Sequence, residues 1–207
     1  MFKFLASTLT LSALLAVPTA SHAIIYTFNA AISGANEVLP ATPGPGSGTA
    51  ILNYDDKGTL TLADDTYNFA MSVFGLTGGT VAGTAASVFH IHGAANTAQN
   101  GPVVVSLDNP SLFTFLNSGS TLLVGGTNVV APTTLFSNGA YSNLSFLAML
   151  RSSLTYVNVH TALNPGGAVR GQLIEVTAVP EPSTYAMLLA GLGVVGLMAR
   201  RRRVNQD

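Results

Sequence analysis

The sequence predicts an all-β fold: a single sandwich- or barrel-like domain with one short helix, lying between two targeting segments. Three observations carry this. Short apolar runs alternate with a period of two, as one-sided strands do. Clusters of Gly, Pro, Asn and Asp separate them. Charged side chains make up only 8% of the 207 residues, against a usual ~25%, so neutral Thr, Ser, Asn and Gly must supply the polar surface.

Ile24, Tyr26, Phe28, Ala30 and Ile32 alternate with Ile25, Thr27, Asn29, Ala31 and Ser33 and give the first strand. Residues 34–48 are rich in Gly and Pro and predict a long loop. Ala50, Leu52 and Tyr54 mark a strand over 49–54, and Asp55-Asp56-Lys57-Gly58 a turn into a further strand over 59–62. Asp64-Asp65 turns the chain again, into Tyr67, Phe69, Met71 and Val73. Both acidic pairs sit in turns, where such residues are usually solvated turn formers. Two strands, 88–92 and 103–107, flank a polar loop over 93–102. Residues 108–139 predict one strand, 121–124, among loops. Leu144, Leu147, Leu150 and Leu154 recur at helical spacing, so a short helix is expected over 142–153, capped by Ser142. Asn164-Pro165-Gly166-Gly167 then joins strands 154–161 and 168–176 as a hairpin.

The two ends are addresses. Lys3, an apolar run over 5–17 and the small residues Ser21 and Ala23 predict a signal peptide over 1–23. Residues 183–199 form a 17-residue apolar run, close to the ~17-residue minimum for a membrane helix. Arg200, Arg201, Arg202 and Arg203 follow it and are expected to stop transfer and remain cytoplasmic. Pro180-Glu181-Pro182, the apolar run and the terminal arginines together resemble the PEP-CTERM sorting signal. The resemblance implies a Gram-negative bacterium, transient membrane anchoring through the 183–199 helix, and processing near Pro180-Glu181-Pro182 by a membrane enzyme, an exosortase. It also implies release to the cell surface or an exopolysaccharide matrix. The Gly191-Leu192-Gly193-Val194-Val195-Gly196 run is not a dinucleotide site, since no βαβ unit surrounds it.

Between these ends, residues 24–179 form one domain. Three cations (Lys57, Arg151, Arg170) stand against seven acids, for a net charge of −4. With no basic patch, nucleic acid is not an expected partner. There is no cysteine, which excludes disulfides, thiol catalysis and Cys-based metal sites. No G-x-S-x-G or H-E-x-x-H motif is present.

The candidate chemistry lies in His90, His92 and His160. His-x-His on a strand puts both rings on one face, opposite Phe89 and Ile91. The later strand places Tyr156, Asn158 and His160 opposite Val157 and Val159. If these strands are neighbours the three imidazoles converge, and three His suffice for zinc or copper with an open position. Asp108 or Glu37 is a candidate oxygen donor. The competing reading makes the histidines hydrogen-bonding groups that fix loops, with no cofactor. Arg170, nearly the only cation, is expected to pair with Glu37 and clamp the long loop to the final hairpin.

Five blocks carry a second resemblance. They are residues 32–38 (Ile-Ser-Gly-Ala-Asn-Glu-Val), His90-Ile91-His92-Gly93, residues 156–161 (Tyr-Val-Asn-Val-His-Thr), Asn164-Pro165-Gly166-Gly167 and Arg170-Gly171-Gln172-Leu173. In this order they resemble the CHRD domain, named after chordin, over residues 28–174. Leu39 and Ala168 depart from the usual pattern, which favours a proline before Pro40 and an acid at 168. The resemblance implies a β-sandwich-like extracellular domain without an established enzymatic activity, and chordin's growth-factor partners do not carry over. Two functions are therefore expected. One is a non-enzymatic surface or matrix module that binds polysaccharide, surface proteins or itself. The other is a small redox or hydrolytic metalloenzyme using the three histidines.

Overall fold

The computed structural model describes residues 22–79, 83–176 and 188–195. Strands β1 (Ile25–Ser33), β2 (Ser47–Asp55) and β3 (Thr66–Phe74) form an antiparallel meander. Their alternation is the sequence period made visible: Phe28, Ala30 and Ile32, then Ala50, Leu52 and Tyr54, then Tyr67, Phe69, Met71 and Val73 are all buried. Strand β4 (Val88–Gly93) is followed by β5 (Val103–Ser106), β6 (Thr114–Ser118) and β7 (Thr121–Val130). A small separate hairpin, β8 (Phe136–Asn138) and β9 (Tyr141–Leu144), leads into helix α1 (Phe146–Arg151). The last strands are β10 (Thr155–His160), β11 (Val169–Gln172) and β12 (Ile174–Glu175).

Ten strands make one sheet in the order β5-β4-β10-β11-β1-β2-β3-β7-β6, with β12 also on β1. The sheet curls into a half-barrel that brings β4 against β6. Phe89 of β4 and Phe115 of β6 touch edge to face at 5.3 Å. Asn117 of β6 accepts from the amides of Ala85 and Ala86, just ahead of β4, at 2.8 and 2.9 Å. The curl encloses one apolar core, and α1 closes it by inserting Phe146 against Tyr67 and Tyr54, at 5.6 and 6.2 Å between ring centroids.

Several sequence expectations change. Residues 59–62 form bends and the start of a turn, not a strand; Leu60 is exposed and Thr59 bonds Asp64. Asp65 is not a solvated turn former: it is buried and accepts a 2.6 Å hydrogen bond from the Tyr54 hydroxyl. The strand expected over 121–124 is part of the longer β7, and β6, β8 and β9 were not expected. The helix starts later than the leucine spacing implies. Ser145, not Ser142, is its N-cap and accepts from the Ala148 amide at 3.2 Å, because Ser142 is committed to β9. The returning strand is broken at Leu173, whose amide turns to the Thr155 carbonyl.

The signal peptide expected over 1–23 lies outside the described residues except for its last two. Of the expected 183–199 span, residues 188–195 are described and are helical. No described helix is long and apolar enough to cross a membrane.

Candidate metal centre

β10 lies between β4 and β11, and the register decides which side chains meet. His90 stands opposite Asn158, and Asn158 opposite Arg170. His92 stands opposite Tyr156, and Tyr156 opposite Gln172. These two rows, with His160 at the end of β10, lie on the face turned away from Phe89, Ile91, Val157 and Val159. The loop over 94–102 covers part of this face, which is why the non-core side chains here are buried or half-buried.

The three histidines converge as the sequence suggested. Ring centroids are 5.5 Å apart for His90–His92, 5.5 Å for His90–His160 and 6.1 Å for His92–His160. One ring nitrogen from each lies within 4.8 Å of the other two. Two of the tautomers are fixed by backbone carbonyls. His92 Nδ1–H donates to Gly101 O at 2.9 Å, and His160 Nδ1–H donates to Pro165 O at 3.0 Å. A carbonyl only accepts, so each neutral ring keeps its lone pair on Nε2. His92 Nε2, His160 Nε2 and His90 Nδ1 are buried and have no hydrogen-bond partner. Burial pushes all three imidazoles below their ordinary pKa, His92 to about 4. The rings are therefore neutral at pH 7, the form that donates a lone pair.

A second layer of side chains fixes the first. Tyr156 stacks flat on His92, centroids 5.0 Å apart and planes 7° from parallel. Its hydroxyl accepts from the Gly101 amide at 3.1 Å, while the carbonyl of the same residue holds His92. Arg170 lies over the Tyr156 ring at 3.4 Å. The turn at Asn164–Gly167 holds His160 through Pro165 and is itself tied to the long loop by Asn164 Nδ2 to Thr42 O, 2.7 Å.

The expected Glu37–Arg170 ion pair is not among the salt bridges of the described residues. The guanidinium instead donates to Gln99 O (2.9 Å), Asn100 Oδ1 (3.1 Å), Asn96 O (2.8 Å) and Gln172 Oε1 (3.3 Å). These acceptors match its planar fork, and mostly neutral oxygens satisfy it. Arg170 thus clamps the 94–102 loop rather than the 34–46 loop. Glu37 accepts instead from Asn158 Nδ2 at 3.5 Å. Burial, opposed by the Arg170 charge, raises its carboxyl to about 7. Its carboxyl packs on Gly167, where a Cβ would stand 2.6 Å from Oε2 and the backbone has φ +134°. The positive φ favours glycine there, and a side chain would displace the Glu37 carboxyl.

Neither proposed oxygen donor belongs to the close group. Asp108 is near enough for its charge to act on His90, but only the three histidines meet within 4.8 Å. The carbonyls of Gly101 and Pro165 were invisible in the sequence, since every residue carries one and only the fold aims it. The sorting residues Pro180, Glu181 and Pro182, and Arg200 to Arg203, lie outside the described residues.

Comparison with known proteins agrees with these blocks. The CHRD domain matches residues 28–173, and the PEP-CTERM protein-sorting motif matches residues 178–203. No curated protein and no solved structure matches the chain. The sorting motif marks an extracellular protein that is exported and processed by exosortase. The first match spans most of the chain and contains all three histidines, Glu37 and Arg170: the chain belongs to the CHRD domain family and carries a PEP-CTERM sorting motif at its C-terminal end.

Proposed function

We propose that this exported domain is a binding module of the cell surface or surrounding matrix, built around one transition-metal ion held by His90, His92 and His160. One observation carries the reading: one ring nitrogen of each histidine lies within 4.8 Å of the other two, and each of the three rings has a buried nitrogen with no hydrogen-bond partner. Buried polar atoms are normally paired, and three facing lone pairs repel one another. A cation removes both problems at once.

The second layer supports the same reading. Metal-bound imidazoles usually donate their other N–H to a carbonyl or carboxylate, which sets the tautomer and aims the ring. His92 and His160 have that arrangement already. An all-imidazole donor set suits zinc or copper and disfavours magnesium and calcium. The ion would tie β4 to β10 and to the 164–167 turn, a role disulfides fill in other exported domains.

The wider surface role, binding polysaccharide or surface proteins, is supported by the sorting motif and by the scarcity of charge on the domain. A second reading, hydrolytic or redox use of the ion, is favoured by the three-nitrogen set, which leaves a fourth position open. Elemental analysis of the purified protein tests the metal: one zinc or copper per chain supports the site, and a metal-free protein that takes up neither ion refutes it.

A further inference from the structure

Among the described residues six buried side-chain polar atoms lack a hydrogen-bond partner, and five of them belong to one patch. They are His90 Nδ1, His92 Nε2, His160 Nε2, Asn158 Oδ1 and Glu37 Oε1. The sixth, Thr155 Oγ1, belongs to the opposite alternation of β10. A metal ion accounts for the three nitrogens and leaves the two oxygens with nothing to accept from.

Those oxygens are close to the ion's place. Asn158 stands directly opposite His90 across the β4–β10 ladder and two residues before His160 on the same face. Side chains directly opposite across a ladder have Cβ atoms ~5 Å apart, and those two apart on one strand about 7 Å. Glu37 adjoins Asn158 through the 3.5 Å contact of Oε2 with Nδ2. Glu37 does not belong to the tight ligand group, and the neutral amide oxygen of Asn158 is a poor ligand for zinc or copper beside three imidazoles, so each oxygen is suited to touch something bound to the metal rather than the metal. Three imidazoles leave one position open on a tetrahedral ion, and the group needed there must bind through a lone pair and offer two hydrogens.

We propose that the fourth ligand is a water molecule whose two hydrogens are accepted by Asn158 Oδ1 and Glu37 Oε1, making these two side chains positioning residues for a metal-bound water. This inference rests on the three histidines being metal ligands. No bond is made or broken in it: the water oxygen donates a lone pair to the ion and its two O–H groups donate outward. The same pair of acceptors disfavours an anion at the fourth position, because an anion without hydrogens faces two oxygen lone pairs. The open position is therefore selective for water, which alone of simple oxygen ligands offers two O–H groups.

Cobalt(II) is the probe, since it replaces zinc and its visible spectrum reports the fourth ligand. The purified full chain and its Glu37→Gln variant are each loaded with one equivalent of cobalt and titrated with azide. The wild type is expected to bind azide weakly, and Glu37→Gln about tenfold more tightly, the effect of removing one charge-assisted acceptor that opposes the anion. Cobalt retained by both proteins with equal azide affinity overturns the water clamp and leaves the metal site standing. Loss of cobalt from Glu37→Gln alone overturns it differently, by making Glu37 a direct ligand. Failure of the wild type to hold cobalt removes the metal reading beneath it. If Glu37→Gln does not melt cooperatively, pulsed electron paramagnetic resonance of the copper(II) wild type in D2O decides: an exchangeable ligand deuteron signal supports the bound water, and its absence overturns it.

Discussion

Tyr156 lies flat on His92, 5.0 Å between ring centroids, and holds the Gly101 amide through its hydroxyl. The Gly101 carbonyl fixes His92 Nδ1. One aromatic side chain thus orients a candidate ligand twice, by stacking and through the loop. Tyr156→Ala removes both and leaves a cavity, and is expected to cost about 3 kcal/mol of stability and about tenfold in zinc affinity. Tyr156→Phe keeps the stack and loses one hydrogen bond, so about 1 kcal/mol and little affinity. Denaturant melts and zinc titration of the two variants separate the contributions; equal zinc affinity in wild type and Tyr156→Ala would count against the positioning role.

Arg170 is 1% exposed and holds the 94–102 loop through Asn96, Gln99 and Asn100. Arg170→Met abandons these buried acceptors and is expected to lower stability by about 3 kcal/mol. Arg170→Lys should recover little, since an ammonium lacks the planar fork. Hydrogen exchange at residues 94–102 is the direct check: protection there should fall first, before that of β1 to β3.

The site gives the metal-free protein a defined response to pH. Burial lowers the three imidazole pKa values, His92 to about 4. Between that value and the ordinary 6.5 the unfolded chain binds more protons, so their stabilisation is present above pH 6.5 and lost as pH falls. Glu37 is raised from 4.5 to about 7, so its contribution has the opposite sign: present below pH 4.5 and lost as pH rises through 7. Below pH 6.5 His92 opposes Glu37, and His90 and His160 act in the same direction as His92; of these four groups only Glu37 still changes above it. Thermal melts of the metal-free protein should therefore rise from pH 5 to about pH 6.5 and decline slightly beyond. Glu37→Gln should abolish the decline and keep the rise.

The sorting motif makes a prediction away from the domain. A proline lacks an N–H and restricts the residue before it, and the sequence places prolines at 180 and 182, on either side of Glu181. Replacing Pro180-Glu181-Pro182 by three alanines is expected to leave the protein in the membrane fraction. Fractionation that finds the variant released like wild type would remove the motif's role in processing.

What the sequence made legible follows from where each signal is stored. The alternation of Phe89 and Ile91 with His90 and His92, and of Val157 and Val159 with Asn158 and His160, is local and was readable. That β4 and β10 are neighbours is a long-range fact of topology, and in the sequence it stood only as a condition. Strands β6, β8 and β9 went unseen because their side chains are mostly exposed or half-buried and lack an apolar face to mark them. The Ser145 cap went unseen because the leucine spacing favoured a start one turn earlier. Glu37 and Arg170 were joined by opposite charge, yet Arg170 found its partners mainly among loop oxygens, and no residue type announces a carbonyl.

The most direct measurement of the central claim is the melting temperature of the metal-free protein with and without zinc or copper, in wild type and in His90→Ala, His92→Ala and His160→Ala. With free metal at a hundred times its dissociation constant, binding to the folded state alone adds about 2.7 kcal/mol. The account predicts a clear upward shift in the wild type, lost or strongly reduced in each variant. Identical melting temperatures with and without either metal in the wild type would contradict it.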